Sequence, residues 1–385
     1  MKYCFAVVVL LLGVGFANAQ SSNQSSNRQS SNCQFLYDVD FVMDFDNREI
    51  HHPYEDSQTL FGIRLTPTIG LGFNDSIGGT HKLMAGVSYV QPFGSKWRDC
   101  KVHPTVYYQF DAKGFRLNFG FVPYDFLTEA LPDYLRSDSL AFAYPNIQGV
   151  LFQYRSKWGF VDMLCDWRGM MSADTREAFR IIAAGKFRYN WLYAGGYAQL
   201  NHLSHNSGTI LGVCDDIVIN PLVGVSLGYL TPLDSLALQV GYIGSFQRDR
   251  RAGQQWFAHG FHADLCLEWQ FIGFRNEFYY GDNQMPLYPQ YGQLVNQGDP
   301  RYQARIYNRT DIYFYLIRRS FVTAYAGWNF LYLEGHGLSH QQQVVCRFSL
   351  EPLLRYTKLT KAERLAQKPT LRTKNAPKLR TLSYR

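Results

Sequence analysis

The sequence between residues 35 and 46 reads FLYDVDFVMDFD. Every odd position, from Phe35 to Phe45, is apolar or aromatic, whereas aspartate occupies positions 38, 40, 44 and 46. A period of two is that of a β-strand, whose successive side chains point to opposite faces. One face of this strand is therefore apolar and the other carries carboxylates. Such a strand suits a soluble sandwich with its apolar face toward the core, or a membrane barrel with that face toward lipid.

The two ends of the chain differ from its middle. Lys2, an apolar run from Phe5 to Phe16 and the triplet Ala17-Asn18-Ala19 predict a cleaved signal peptide over residues 1–19. Residues 20–34 are rich in Ser and Asn and predict a disordered linker. The formal net charge of +7 comes from a basic tail at residues 353–385, for which we expect a periplasmic partner. No later segment reaches the ~18 apolar residues of a spanning helix.

The same alternation returns in segments of about ten residues along the whole middle of the chain. We count sixteen such segments. Seven short connections alternate with eight longer ones, a layout that a soluble sandwich has no reason to adopt. The aromatic content of 16% also suits a barrel with aromatic girdles. The sequence therefore predicts an all-β, transmembrane, antiparallel up-and-down β-barrel over residues 35–352, located in the bacterial outer membrane.

The middle of the chain resembles bacterial outer-membrane porins of the sixteen-stranded type. It is most similar to porin-like barrels from Bacteroidetes, at Tyr144-Pro145-Asn146-Ile147-Gln148-Gly149 and at Asp166-Trp167 with Thr175-Arg176-Glu177-Ala178-Phe179. The resemblance implies a channel for passive diffusion of small polar solutes. Porins of this type often end on an aromatic residue in the last strand. This chain departs from that pattern, since 37 residues follow Phe348.

The resemblance also implies that the third long connection, residues 123–146, folds into the lumen and narrows it. The expected pore constriction consists of Asp125, Glu129, Asp133, Asp138 and Arg136. Residues 128–131 could begin a short helix there. An ordinary surface loop is the alternative.

The polar phase of the strands gives a lumen wall of mixed charge. Its candidate residues are Asp38, Asp40, Asp44, Asp46, Arg64, Lys82, Arg116, Arg168, Arg180, Arg188, Arg275 and Arg347. Opposed charges could orient polar solutes by a transverse field. The alternative is that they pair across strands and stiffen the wall. Since neither sign predominates, no strong ion selectivity is predicted.

Two clusters could carry chemistry, although loops are rich in such residues in any case. They comprise His202, Ser204, His205 and Asp215, and His336, Ser339 and His340. We predict that the chain is not an enzyme, and leave open a barrel enzyme and a non-conducting accessory barrel of an envelope secretion or surface-assembly system. No cofactor, metal site, disulfide framework or nucleic-acid partner is predicted, since the cysteines lack zinc-type spacing. Outer-membrane lipid is the expected surrounding, and a homo-oligomer is left open.

Overall fold

The computed structural model describes residues 33–76, 78–207 and 212–358. Sixteen strands account for most of these residues: β1 Gln34–Glu49, β2 Gln58–Asn74, β3 Thr80–Pro92, β4 Lys101–Ala112, β5 Phe115–Pro123, β6 Asn146–Ser156, β7 Gly159–Gly169, β8 Ala178–Tyr189, β9 Leu192–Leu203, β10 Cys214–Ser226, β11 Ser235–Asp249, β12 Gln254–Trp269, β13 Ile272–Gly281, β14 Ile306–Arg318, β15 Val322–Leu333 and β16 Ser339–Ser349. Three short α-helices accompany them: α1 Asp138–Ala143, α2 Tyr288–Tyr291 and α3 Leu350–Lys358.

The strands form one closed antiparallel barrel in which each strand pairs with its neighbours in sequence. Closure joins β1 to β16, with Asp44 opposite Val345 and Asp46 opposite Gln343. Closing the sheet leaves no unpaired edge strand. The prediction of an all-β barrel with sixteen strands is confirmed.

The alternation in β1 decides which of its side chains face the interior of the barrel and which face outward. Asp44 and Asp46 face the interior and are 6% and 0% exposed, whereas Phe35 on the opposite face is 65% exposed. The same division holds around the barrel, so that large apolar side chains such as Leu83, Val223 and Phe261 cover its outer surface. Such an outer surface suits a hydrocarbon surrounding.

The two ends of the barrel differ in their connections. One end, here the short-turn end, carries tight turns such as Lys113-Gly114, where both residues have positive φ (44° and 88°). Paired positive φ values match a two-residue hairpin turn to the twist of its strands, and glycine at the second position allows this without strain. The other end, the long-loop end, carries the longer connections and provides the segments that enter the barrel.

The last strand ends at Ser349, and α3 follows it directly. The backbone N–H of Glu351 in α3 donates to Asp38 Oδ1 at 2.8 Å, which holds the start of this helix against β1. The predicted signal peptide lies outside the described residues, as do nearly all of the linker and most of the basic tail. Within the described residues, no helix combines the length and apolar character needed to cross a membrane.

Candidate functional site

The third long loop (the third loop, residues 124–145) lies inside the barrel. Leu131, Tyr134 and Leu135 in this loop are at most 4% exposed. Its hydrogen bonds reach well-separated parts of the wall: Thr128 N donates to Asp162 of β7 at 2.6 Å, and Tyr134 Oη donates to Asn220 of β10 at 2.8 Å. The loop therefore crosses the lumen. Its helix is α1 and not residues 128–131, because Pro132 disfavours helical geometry at the residue before it.

The acids of the third loop each face a cation of the wall. Glu129 bonds Lys186 of β8, and its other oxygen lies 3.5 Å from Arg188. On the opposite side, Asp125 lies 3.6 Å from Arg64 and 3.1 Å from Arg347. These contacts bring five of the sequence-predicted residues together in pairs of opposite charge.

Arg309 of β14 holds the remaining two acids of the third loop. Its Nη1 lies 3.1 Å from Asp133 Oδ2 and 3.3 Å from Asp138 Oδ2, while its Nε donates to Asp311 at 2.8 Å. Burial and the nearby Glu277 and Asp138 carboxylates raise the pKa of Asp133 to about 8. Sequence reasoning missed Arg309 as a partner of the loop, because the pairing depends on where the loop docks.

Arg136, the single arginine of the predicted constriction, makes its contacts within the third loop itself. Its guanidinium lies 3.4 Å from the centre of the Tyr124 ring and donates to the Tyr144 carbonyl oxygen. Burial lowers the pKa of Arg136 to about 10. Its contacts close the third loop on itself through a cation–π interaction.

A second segment, which the sequence reasoning did not place inside the barrel, packs against the third loop. This is the seventh long loop (the seventh loop, residues 282–305). Ser137 N donates to Gln297 O, and Asp299 N donates to Asp133 O, both at 2.8 Å. The two loops are thus joined through their backbones. A Cβ at Gly298 would lie 2.0 Å from the Tyr134 carbonyl oxygen, so only glycine fits this contact.

The twelve predicted lumen-wall residues all lie on the inward phase of their strands. Many are in pairs, such as Arg275, whose Nε lies 3.1 Å from Asp264 and whose Nη2 lies 3.0 Å from Glu277. Arg180 is fully buried against Tyr124 of the third loop. Much of the interior polar surface is therefore engaged with the wall and the two loops.

The two predicted His/Ser clusters both lie at the long-loop end. In the first, His202 Nδ1 lies 2.9 Å from Asp215 Oδ1, and Arg250 donates to both oxygens of Asp215 at 2.7 and 3.1 Å. Ser204 Oγ lies 3.2 Å from His205 Nδ1. His202 and Asp215 are cross-strand partners on the outward phase of β9 and β10.

The second cluster, of His336, Ser339 and His340, makes different contacts. Ser339 is fully buried, and its hydroxyl accepts a hydrogen bond from His51 N at 2.8 Å. Both ring nitrogens of His340 are engaged, Nδ1 with Gln342 at 2.8 Å and Nε2 with Glu49 at 3.3 Å. An imidazole acts as a base through a nitrogen that is free to accept a proton. The carboxylate partner of His202 binds Nδ1 instead, and no hydrogen bond of its Nε2 is found within the described residues.

A groove of about 970 Å³ indents the outer wall over β10–β13. Its apolar lining includes Pro221, Val240 and Phe261, and its border at the long-loop end includes Asp282 and Arg305. The sequence gives little signal for this groove, because it is assembled from outward side chains of four strands.

A family model described as lipid A 3'-O-deacylase-type matches residues 27–358. The chain belongs to this lipid A 3'-O-deacylase-type family. The prediction that the chain is not an enzyme is therefore wrong, because the family that it belongs to is named for an enzymatic activity. His202 and Asp215 were weak evidence of catalysis in the sequence, because loops are commonly rich in such residues. Their pairing depends on strand register, which the sequence pattern does not show. No curated protein matches the chain significantly.

Solved structures similar to this deacylase-type chain are outer-membrane barrels. OpdK of Pseudomonas aeruginosa, solved with vanillate, is 9% identical with a TM-score of 0.51, covering 83% of this chain and 98% of its own. A loop L8 deletion mutant of OmpT, an outer membrane protein of Vibrio cholerae, is 11% identical with a TM-score of 0.52, covering 82% and 99%. At such identities the likeness shows the fold, a porin-like outer-membrane barrel. The resemblance to Bacteroidetes barrels stays a prediction.

Proposed function

We propose that the chain hydrolyses an ester-linked acyl chain of lipid A, or of a glycolipid built like it, at the outer rim of the barrel. The observation that carries the proposal is the outward-facing His202–Asp215 pair, within a family named for deacylation. Porin-like barrels expose their longer loops outside the cell, so the pair would lie at the outer leaflet.

The proposed reaction is base-assisted attack of water on the ester carbonyl carbon. His202 Nε2 takes a proton from the water as the water oxygen forms a bond to the ester carbonyl carbon. The tetrahedral intermediate then expels the sugar alkoxide, which receives the proton from His202, leaving a free fatty acid and an alcohol. Asp215 accepts from Nδ1–H and so fixes the tautomer and stabilises the charged imidazole. Arg250 holds Asp215 in place through two hydrogen bonds.

The surroundings of His202 support a lipid substrate. The His202 ring centre lies 5.1 Å from that of Phe179, which in turn stacks on Trp167 at 5.2 Å. Trp167 is 43% exposed on the outward surface. Aromatic side chains of this kind are typical of the membrane interface, which is also where the esters of a membrane lipid lie.

The test is release of fatty acid from lipid A in mixed micelles by the purified full chain, followed by mass spectrometry. We expect His202→Gln and Asp215→Asn to lower the rate about 100-fold or more, the usual contribution of a positioned general base. His340→Gln is the matched control, since it also removes an outward histidine paired with a carboxylate at this rim. A parent that releases no fatty acid, or a His202→Gln variant with the parent's rate, would contradict the proposal.

Passive diffusion of small polar solutes through a narrowed lumen is the second candidate function. The observation that favours it is the row of acids on the third loop, Asp125, Glu129, Asp133 and Asp138, each opposed by a wall cation. Closely spaced charges in a narrow, partly dehydrated passage interact more strongly than exposed surface pairs. The two functions use opposite sides of the wall and do not exclude each other.

A planar-bilayer recording tests the channel candidate. Changing the four acids together to their amides should move the reversal potential toward anions while the barrel still folds. The reason is that the wall cations Arg64, Lys186 and Arg309 would then face neutral partners. A parent that never conducts would rule out this candidate and favour the accessory-barrel alternative for the interior.

A further inference from the structure

The outward groove over β10–β13 lies beside a difference in strand length at the long-loop end. β12 begins at Gln254, but its pairing with β13 begins only at Gly260, which lies opposite Gly281. The first residues of β12 therefore extend past the end of β13 while still paired with β11. This leaves a step in the outer wall, bounded by the β11–β12 hairpin on one side and by the seventh loop above β13.

The lower part of the groove is apolar. Pro221 and Val223 of β10, Val240 of β11 and Phe261 of β12 line it, and all lie on the outward phase of their strands. Val223 and Phe261 are 56% and 46% exposed. On the outer wall of a membrane barrel, such a surface is in contact with hydrocarbon, so the natural occupant of this part is an acyl chain.

The mouth of the groove is polar and ordered by its own hydrogen bonds. His259 Nδ1 bonds Tyr242 Oη, and the His259 backbone N–H donates to Asp282 Oδ2 at 3.0 Å. Arg305 donates to Tyr280 Oη at 3.3 Å, and its guanidinium lies 5.7 Å from the centre of that ring. Asp282 is thus directed toward the backbone of β12, whereas Arg305 lies along the aromatic edge of the groove.

We propose that this groove binds one membrane amphiphile, with its acyl chain against Val223, Val240 and Phe261 and a phosphate of its head group on Arg305. A volume of about 970 Å³ is at the upper end of the range for small-molecule sites. Arginine binds phosphate through two parallel hydrogen bonds, and Arg305 retains donors beyond the one given to Tyr280. His259 and the amide of Gln303 offer further donors to the head group.

This site is independent of the proposed hydrolysis. Asp215 lies on β10, whereas Arg305 directly precedes β14 and bonds Tyr280 of β13, three to four strands further round the wall, a separation of about 15–20 Å at the usual strand spacing. A lipid in the groove would therefore not place its head-group phosphate on the His202–Asp215 pair. The groove would hold the lipid whether or not that pair is catalytic.

The experiment uses the purified full chain in a non-ionic detergent and counts bound dodecyl phosphate by native mass spectrometry. Dodecyl maltoside, which has the same alkyl length and a neutral head group, is the comparison amphiphile. Val240→Trp fills the groove, and Leu238→Trp adds the same bulk to the same outward face of β11 outside it. We expect Val240→Trp to weaken binding of both amphiphiles at least tenfold, and Leu238→Trp to bind as the parent does. Arg305→Gln should weaken dodecyl phosphate alone, by about tenfold.

Equal binding by the Val240→Trp and Leu238→Trp variants would overturn the groove as the site. An equal effect of Arg305→Gln on both amphiphiles would overturn the phosphate assignment. His202→Gln should bind dodecyl phosphate as the parent does, so a failure of the hydrolysis proposal is distinguishable from a failure of this one. Heat-modifiable migration on gels verifies that each variant retains a folded barrel.

Discussion

Replacing Arg309 by Met should release the third loop from the wall while the barrel stays closed. Arg309 is 1% exposed and is the cation that β14 contributes to Asp133 and Asp138. The Arg309 guanidinium opposes the rise in pKa that burial imposes on both Asp133 and Asp138. Arg309→Met therefore removes the cation shared by three buried carboxyls, Asp133 and Asp138 on the loop and Asp311 on the strand.

Breaking a buried ion pair by removing one partner costs roughly 3–5 kcal/mol. We use the lower value of about 3 kcal/mol, because Asp138 can take up a proton and so relieve part of the cost. At about 1.4 kcal/mol per tenfold change, this shifts the equilibrium toward a released loop by about 100-fold. The wall itself should be little affected, since its strands are held by the backbone ladder on both sides of β14.

Hydrogen exchange in detergent micelles measures this release directly. The amides of Ser137 and Asp299, which bond the third and seventh loops together, should exchange about 100-fold faster in Arg309→Met. Strand amides should keep their protection. Asp138→Asn combined with Arg309→Met should restore part of the protection of the Ser137 and Asp299 amides, because one unpaired charge is then removed. Arg318→Met, which breaks a pair with Glu268 away from both loops, is the control. Parental exchange at both amides in Arg309→Met would refute the role given to Arg309.

Two further predictions concern the same loops and the first long loop. Gly298→Ala should raise exchange at the same two amides and lower the free energy of unfolding by about 1–3 kcal/mol, because its Cβ would lie 2.0 Å from the Tyr134 carbonyl oxygen. Gly327→Ala, whose Cβ would have its nearest neighbour at 3.5 Å, should have no such effect, and equal melting curves for the two would contradict the packing. Burial lowers the pKa of His52 to about 4, so the unfolded chain binds the extra proton first and stability should fall as the pH drops from about 6.5 toward 4. His52→Gln should flatten this part of a thermal-melting series against pH, and an unchanged slope would contradict it.

The fold could be read from the sequence because its signal is local. The inward and outward faces of β1 follow from the alternation of Asp44 and Asp46 with Phe45, and each turn is encoded by a few residues such as Lys113-Gly114. The interior loops could be predicted only in part. The acids of the third loop are visible in the sequence, but Arg309, their partner, is 171 residues from Asp138 along the chain. The place of Gly298 likewise depends on a backbone contact that exists only after both loops have entered the barrel.

The candidate catalytic pair and the groove were harder to predict, for a different reason. His202 and Asp215 become partners through the register of β9 and β10, and a one-residue slip of either strand would turn that strand's side chain to the interior and separate the pair. The groove is assembled from outward side chains of four strands, which no pattern within a single strand encodes. Functional surfaces on a barrel wall are thus properties of strand register, whereas the barrel itself is a property of alternation.

Register also separates what the two faces of the wall can do. Inward side chains such as Lys186 and Arg309 are committed to the third loop, and their charges are compensated within the barrel. Outward side chains such as His202 and Arg305 lie on the outer surface of the wall and share with the interior only the backbone between them. A reaction on a lipid at the outer surface therefore requires no open lumen, and loops that fill the lumen do not interfere with it. This accounts for a deacylase-type chain with the wall of a porin, because the closed wall is the common requirement and the interior loops are free to plug or to narrow it.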